Sequence, residues 1–374
     1  MDKSSIRVRM SAVLCLIAAF LAMVAAPVRA DEPVIVRMVT SAVEDLGLQE
    51  AGDRGLVQNA GATFALTYGS LLNANPQAKA AFNLAAARWA AVLGDDVTIH
   101  LTLDLDSTLG ANVLGSTSSA KYYWGYTEIR DMMVANAGEV NNAREAVLLP
   151  NLPTAAQFSA KVPTGWGLDG YMSFTLANYH ALGGTELLTA SDGTIKFSSN
   201  FAWDYDPSDG IDADKYDFVG VAMHEMGHAL GFISHVDWVD YMFTTTNPDY
   251  RFIEPTPLDF FRFAAADVAA SGFDFTTTAR YLAPGGEQVF YFGDGIAELS
   301  TGSDYGDGWQ ASHWKMGSMT NLMEPAVAAG HLMTISPQDL IAMDLIGWQI
   351  IPEPATLSLL VAAAMVLLRR RRRV

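Results

Sequence analysis

The stretch beginning at Phe218, FVGVAMHEMGHALGFISHVDW, constrains this chain more than any other. Val221, Ala222, Ala229, Leu230 and Phe232 give it an apolar surface that a helix would bury. Inside that surface stand two histidines and a glutamate. His224 and His228 are four residues apart, so on a helix they share one face, one turn from each other. Both imidazoles can then reach a single tetrahedral ion. Glu225 projects beside that ion, where it can polarise a water. Gly227 permits another part of the chain to approach closely, and Gly231 is placed to end the helix or turn the chain. Two histidines do not complete a catalytic zinc site, which usually takes three protein ligands and keeps one position open. The fold must therefore bury this helix and bring a third donor to it.

Three positions compete for that role. His235 and Asp237 follow the helix closely, and His313 lies 85 residues beyond His228. A carboxylate at Asp237 would make a chemically acceptable His-His-Asp site, and His235 would require a longer turn after Gly231. The segment ASHWKMGSMTNLMEPAVAAG carries His313-Trp314 and, further on, Leu322-Met323. With the HExxHxxGF run from His224 to Phe232, this resembles the leishmanolysin-like branch of the metzincin zinc proteases. That branch inserts a long segment before its third histidine. The commoner metzincin pattern would put a histidine at position 234, where this chain has Ser234. The resemblance covers about 130 residues, and it implies His224, His228 and His313 as zinc ligands with Glu225 as general base. It also implies Met323 as the methionine of a turn beneath the metal, and Glu324 to Val327 as a wall of the substrate pocket. The implied fold is a twisted N-terminal sheet with helices and the active-site helix, then a C-terminal subdomain with the methionine turn and a last helix.

The remaining body fits an α+β, or mixed α/β, chain. Residues 75–93 predict an alanine-rich helix with Ala80, Phe82, Leu84, Trp89 and Val92 available for a buried face. Val97, Ile99, Leu101, Leu103 and Leu105 alternate without a break and predict a half-buried strand, with His100 on its polar face. A second helix is expected over 126–137 and a further strand over 170–177. Ser336-Pro337-Gln338-Asp339 reads as a helix start with a serine cap, and Asp344 in that helix is expected either to bond backbone near the methionine turn or to be solvated. His180 and His331 read as packing or surface residues. Asp204, Asp206, Asp209, Asp212, Asp214 and Asp217 offer enough oxygen for a calcium ion (Ca2+), although not at EF-hand spacing. Gly210 also lets the stretch be an ordinary acidic turn, the reading favoured over a calcium site.

Both ends look like addresses. Residues 1–30 have a basic start, an apolar run over 11–26 and Val28-Arg29-Ala30 at a cleavage position, which is the pattern of an export signal. Residues 351–374 contain Pro352-Glu353-Pro354, an apolar run over 357–368 and five consecutive arginines. That run is short beside the roughly 20 residues of a spanning helix. The tail resembles the PEP-CTERM sorting signal of exopolysaccharide-producing Gram-negative bacteria. Signal peptidase and an exosortase-type enzyme are the implied processing partners, with transient membrane contact through the tail. The implied location is the cell surface or extracellular matrix. The only cysteine, Cys15, lies in the signal-like segment, so the body has no disulfide.

Of 23 basic residues, four lie in residues 1–30 and five are the terminal arginines. The remaining 14 face 40 acidic residues, because only Asp2 precedes residue 31. A body so acidic repels phosphate and excludes generic nucleic-acid binding. The expected organisation is a signal (1–30), an N-terminal extension or pro-like segment (31–73), an N-terminal catalytic subdomain (74–231), a C-terminal subdomain (232–350) and the sorting tail (351–374). The expected activity is an exported zinc endopeptidase acting on protein or peptide. Two other functions fit the residues: a surface or matrix-adhesion protein with a degenerate metal site, and a zinc hydrolase of a non-peptide amide or ester.

Overall fold

The computed structural model describes residues 35–41, 53–58, 61–137, 143–185, 191–244, 251–317 and 319–351. The expected signal and sorting tail therefore lie outside the described residues, Ile351 excepted. The chain divides between Val34 and Ile35 into two units, and every described residue belongs to the second.

In chain order the strands are β1 (Ile35–Ser41), β2 (Asp53–Gln58), β3 (Thr63–Tyr68), β4 (Thr98–Asp106), β5 (Val113–Ser119) and β6 (Lys121–Gly125). They continue with β7 (Tyr171–Thr175), β8 (Gly193–Ser198), β9 (Arg262–Ala264), β10 (Gln288–Tyr291), β11 (Ile296–Leu299) and β12 (Ala326–Ala328). The main helices are α1 (Pro76–Ala90), α2 (Tyr126–Asn136), α3 (Leu176–Ala181), α4 (Phe218–Ala229), α5 (Val236–Thr244) and α6 (Pro337–Leu345). Shorter strands and helical turns join them, and the architecture is mixed α/β.

A seven-stranded mixed sheet, ordered β12-β1-β5-β8-β4-β3-β2, forms the frame. β3, β4 and β8 run parallel, β5 is antiparallel to β8, and β1 is parallel to β5. Residues 53–68, part of the expected extension, supply two of these strands. The alternation along β4 buries Ile99, Leu101 and Leu103, with Phe64 and Leu66 beside them on β3. Against this sheet lie α1 and α4. Phe82 of α1, Phe197 of β8 and Phe218 of α4 meet in edge-on and tilted contacts with centroids 4.6–5.0 Å apart. Such pairs add about 0.5–1.5 kcal/mol each beyond the area they bury. The core-facing stripe of α1 is Ala78, Ala81, Phe82, Ala85, Ala86 and Trp89, whereas Leu84 is exposed. The small alanines let α4 approach closely, and the Trp89 indole donates to the Met223 carbonyl at 2.8 Å. The expected strand over 170–177 ends at Thr175, whose hydroxyl caps α3 by accepting from the Asn178 amide at 3.2 Å.

Beyond α4 the chain builds α5, the small antiparallel sheet β9-β10-β11 and a loop-rich segment leading to β12. α6 starts as its sequence suggests. Ser336 and Asp339 form a capping box with Pro337 at the first turn. Among the described residues no helix is long and apolar enough to cross a membrane.

Candidate metal centre

Every residue of α4 is buried, so whatever its polar side chains do must be satisfied inside the protein. Asp217 caps the helix, accepting from the Gly220 amide at 2.8 Å through one oxygen and from the Met333 amide at 3.0 Å through the other. Leu230 closes it, and Gly231 takes φ +115°, a backbone conformation that favours glycine. A Cβ at Gly227 would lie 2.5 Å from the Met323 sulfur, so the missing side chain is the space that admits Met323 to the helix.

His224, His228 and His313 converge, fully buried, with their ligand atoms within 4.8 Å of one another. The Nε2 atoms form a nearly equilateral triangle: 3.0 Å between His224 and His228, 3.1 Å between His228 and His313, and 3.2 Å between His224 and His313. Each Nδ1 faces a backbone carbonyl: Leu322 at 2.7 Å for His224, Phe232 at 2.8 Å for His228, and Gln310 at 3.1 Å for His313. A carbonyl only accepts, so each Nδ1 carries the proton and each Nε2 presents a lone pair. Three lone pairs aimed at one another cannot hydrogen-bond. They are an unfavourable buried arrangement unless a cation lies among them. Nitrogens about 3.3–3.4 Å apart are expected for a tetrahedral ion with bonds of roughly 2.0–2.1 Å, and the observed triangle is close to that. Carbonyl partners on the distal nitrogens are the usual means of fixing ligand tautomers.

Burial pushes the His224 imidazole down to about 4. His228 and His313 are held well below their ordinary range, first by burial and then by the neighbouring rings. All three are therefore neutral near pH 7, the form that binds metal. Glu225 is also wholly buried. Its Oε2 accepts from the Thr117 hydroxyl at 2.6 Å, while Oε1 has no hydrogen-bond partner among the described residues. Burial pushes this carboxyl up to about 8, opposed by the Thr117 hydrogen bond. A cation at the nitrogens would pull it back down. Gly115 on β5 faces the same carboxylate, because a Cβ there would sit 2.8 Å from Oε1.

The two other candidates for third ligand are engaged elsewhere. His235 Nε2 lies 3.2 Å from Glu254 Oε2 in a buried pair. Asp237 accepts from the Ala311 amide at 2.5 Å, the Ser312 amide at 3.1 Å and the Ser312 hydroxyl. Asp237 thus organises the backbone just before His313. Ser234, at the position of the common metzincin histidine, donates through its hydroxyl to Asp259 at 2.6 Å.

Several contributors had no signal in the sequence. Thr117 and Gly115 reach Glu225 from β5, 108 and 110 positions away. Asp339, foreseen only as a helix cap, also accepts from the Trp314 indole at 2.8 Å and from the Leu322 and Met323 amides at 2.8 and 3.2 Å. It is this acid that holds the Leu322-Met323 turn. Asp344 is buried rather than solvated: burial pushes it up to about 7, opposed by the Arg144 charge and a backbone hydrogen bond with Ile350, and it acts electrostatically on Glu145. Glu324 gathers the amides of Gly317, Met319, Thr320 and Asn321 at 2.9–3.3 Å, which shapes the loop before β12.

The acidic stretch before α4 forms turns. Asp204 accepts from the Asp206 and Asp212 amides, Asp206 from the Ser208 amide, and Asp212 from Lys215 Nζ at 2.6 Å. Its carboxylates do not converge: among the described residues the histidine triad is the one group of three or more ligand-type side chains gathered closely enough for a metal. His180 and His100 each stand 3.7 Å from the buried Asp192, and His331 contacts the Met319 carbonyl at 2.6 Å. The chain matches no protein-family model, no curated protein and no solved structure.

Proposed function

We propose that the protein is a zinc-dependent endopeptidase of metzincin type, with His224, His228 and His313 as ligands and Glu225 as general base. The observation that carries this reading is the triangle of three proton-free Nε2 atoms, each ring locked from behind by a carbonyl. An all-imidazole donor set with three members suits zinc and leaves a position open for catalysis. Zinc bound there supplies Lewis acidity and a nucleophile available near neutral pH. Glu225 Oε1, buried and unpartnered, is the acceptor for the proton of the attacking water and returns it to the leaving amine. Thr117 keeps the other oxygen oriented so that Oε1 stays directed to this task. The Met323 contact with Gly227 and the His313-Trp314 pair support the metzincin assignment. With the signal-like start and the PEP-CTERM-like tail, the enzyme is exported and works at the cell surface or in the matrix.

Purified protein should hold one zinc per chain and degrade an unfolded substrate such as casein. Glu225→Gln should keep the zinc and lose at least about 100-fold in turnover, the usual scale of a lost general base. Full metal occupancy with no peptide cleavage, either by wild type or by a variant in which residues 35–41 are displaced, would overturn the endopeptidase and favour a surface protein with a vestigial metal site. Turnover of esters or small amides with no peptide cleavage would favour the non-peptide hydrolase.

A further inference from the structure

We propose that β1, Ile35–Ser41, is an internal occupant of the substrate cleft: it fills as an added strand the slot where an extended peptide binds. This rests on the endopeptidase reading for the identity of the displaced ligand. The strand order inserts β1 between β5 and β12. It is parallel to β5, with Met38 opposite Gly115 and Thr40 opposite Thr117, the two residues that meet Glu225. It is antiparallel to β12, with Ile35 opposite Ala328, Val36 opposite Val327 and Arg37 opposite Ala326. β12 begins three residues after Met323 and four after Leu322, whose carbonyl receives the His224 ring. β5 is thus a wall of the metal centre, β12 follows directly on the turn that holds the His224 ring, and β1 also lies against α4.

Sheet neighbours are spaced about 4.7–4.9 Å apart, so β5 and β12 stand one strand's width apart across β1. With β1 gone, each would present a row of unpaired backbone donors and acceptors to the other. Such facing edges are built to take one extended chain of any sequence, which is how strand-adding sites hold peptides. The other five strands, β5-β8-β4-β3-β2, pair with one another without β1. Their buried Leu66, Leu101 and Ile195 pack with Phe82 and Phe218 from the helices in one core cluster. Displacing this strand therefore opens the cleft and leaves the rest of the sheet paired.

The full chain, zinc-loaded, is compared with a Met38→Pro/Thr40→Pro variant, because proline removes ladder donors and is rejected from strand interiors. The variant should cleave casein at least tenfold faster than wild type. A fluorescein-labelled peptide of sequence IVRMVTS should bind it at least tenfold more tightly. Equal cleavage rates together with equal peptide binding would overturn the proposal and leave the endopeptidase standing. Peptide binding gained by the variant with no cleavage by either chain would keep the slot and remove the endopeptidase. Hydrogen exchange on the wild type covers the case of a variant that does not fold. Amides of 35–41, and those of 113–119 and 326–328 that face β1, should exchange together, well before those of 63–68 and 98–103. Exchange of 35–41 only with the central strands would contradict a displaceable strand.

Discussion

Glu225 has two oxygens in different circumstances, and the difference bears directly on its chemistry. Oε2 is tied to Thr117 at 2.6 Å, and Oε1 is buried with no partner among the described residues. The hydroxyl favours the ionised carboxylate, so removing it should raise the pKa of Glu225 further. Thr117→Val preserves shape and should retain zinc. The acid limb of its kcat/KM profile should move to higher pH, with activity at pH 7 falling about tenfold, the scale of one hydrogen bond to a charged group. An unchanged pH profile would show that Thr117 does not bear on the base. The residues legible in the sequence here were those on α4, because the i, i+4 spacing of His224 and His228 is a local property of a helix. Thr117 and Gly115 were not legible. Their approach to Glu225 depends on where β5 stands in the sheet, and no pattern within β5 announces it.

Between residues and fold stand the elements that present the third histidine. His313 was legible only through a resemblance, the His-Trp and Leu-Met pairs, since a gap of 85 residues carries no geometric information. The structure supplies the missing link in α5, an element not anticipated in the sequence. Its Asp237 binds the Ala311 and Ser312 amides, and its Asp240 binds the Asp304 and Tyr305 amides at 2.9 and 2.8 Å. Arg262 braces the same segment by donating to the Ala311 carbonyl at 2.5 Å. An acid next to a zinc motif looks like a ligand in sequence, but here the backbone amides of the loop use its oxygens. Asp237→Ala should therefore weaken zinc binding about 10- to 100-fold, as loss of an outer support does, without abolishing it. Competition with a chromogenic chelator measures this, and affinity equal to wild type would contradict the role. Helices with their own caps were easier to read. Asn75 and Ser336 mark helix starts by accepting from the Ala78 and Asp339 amides, an interaction within three residues. The burial of α1 was harder, because α4 selects the alanine side over Leu84 for close approach.

Across the whole molecule, a disulfide-free body depends on its core, and that core contains acids whose charge it disfavours. Burial, then the nearby Asp344 and Asp95, push Glu145 up to about 8. Asp344 is itself pushed up to about 7 by burial. Both folded-state values lie above the ordinary carboxyl range, so the folded protein binds protons more readily than the unfolded chain. That contribution to stability is full below about pH 4 and is lost as pH rises through 7 to 8. Thermal unfolding of wild type should therefore lose stability across this window. Glu145→Gln should flatten the loss and unfold at a higher temperature than wild type at pH 8, with little advantage at pH 5. A parallel pH dependence in both proteins would contradict the account. The mixed α/β class was legible from alternating helix and strand patterns, whereas the insertion of an N-terminal strand between β5 and β12 was not. Sheet order is set by packing between distant segments, and the sequence of residues 35–41 does not specify its neighbours.

The convergence of His224, His228 and His313 on one zinc ion is tested most directly by X-ray absorption at the zinc edge, with metal content, on wild type and His313→Ala. Wild type should hold one zinc per chain, with three imidazole nitrogens at about 2.0–2.1 Å. In His313→Ala one imidazole should be lost and zinc occupancy should fall sharply. Full occupancy in His313→Ala with an unchanged imidazole count would contradict that convergence.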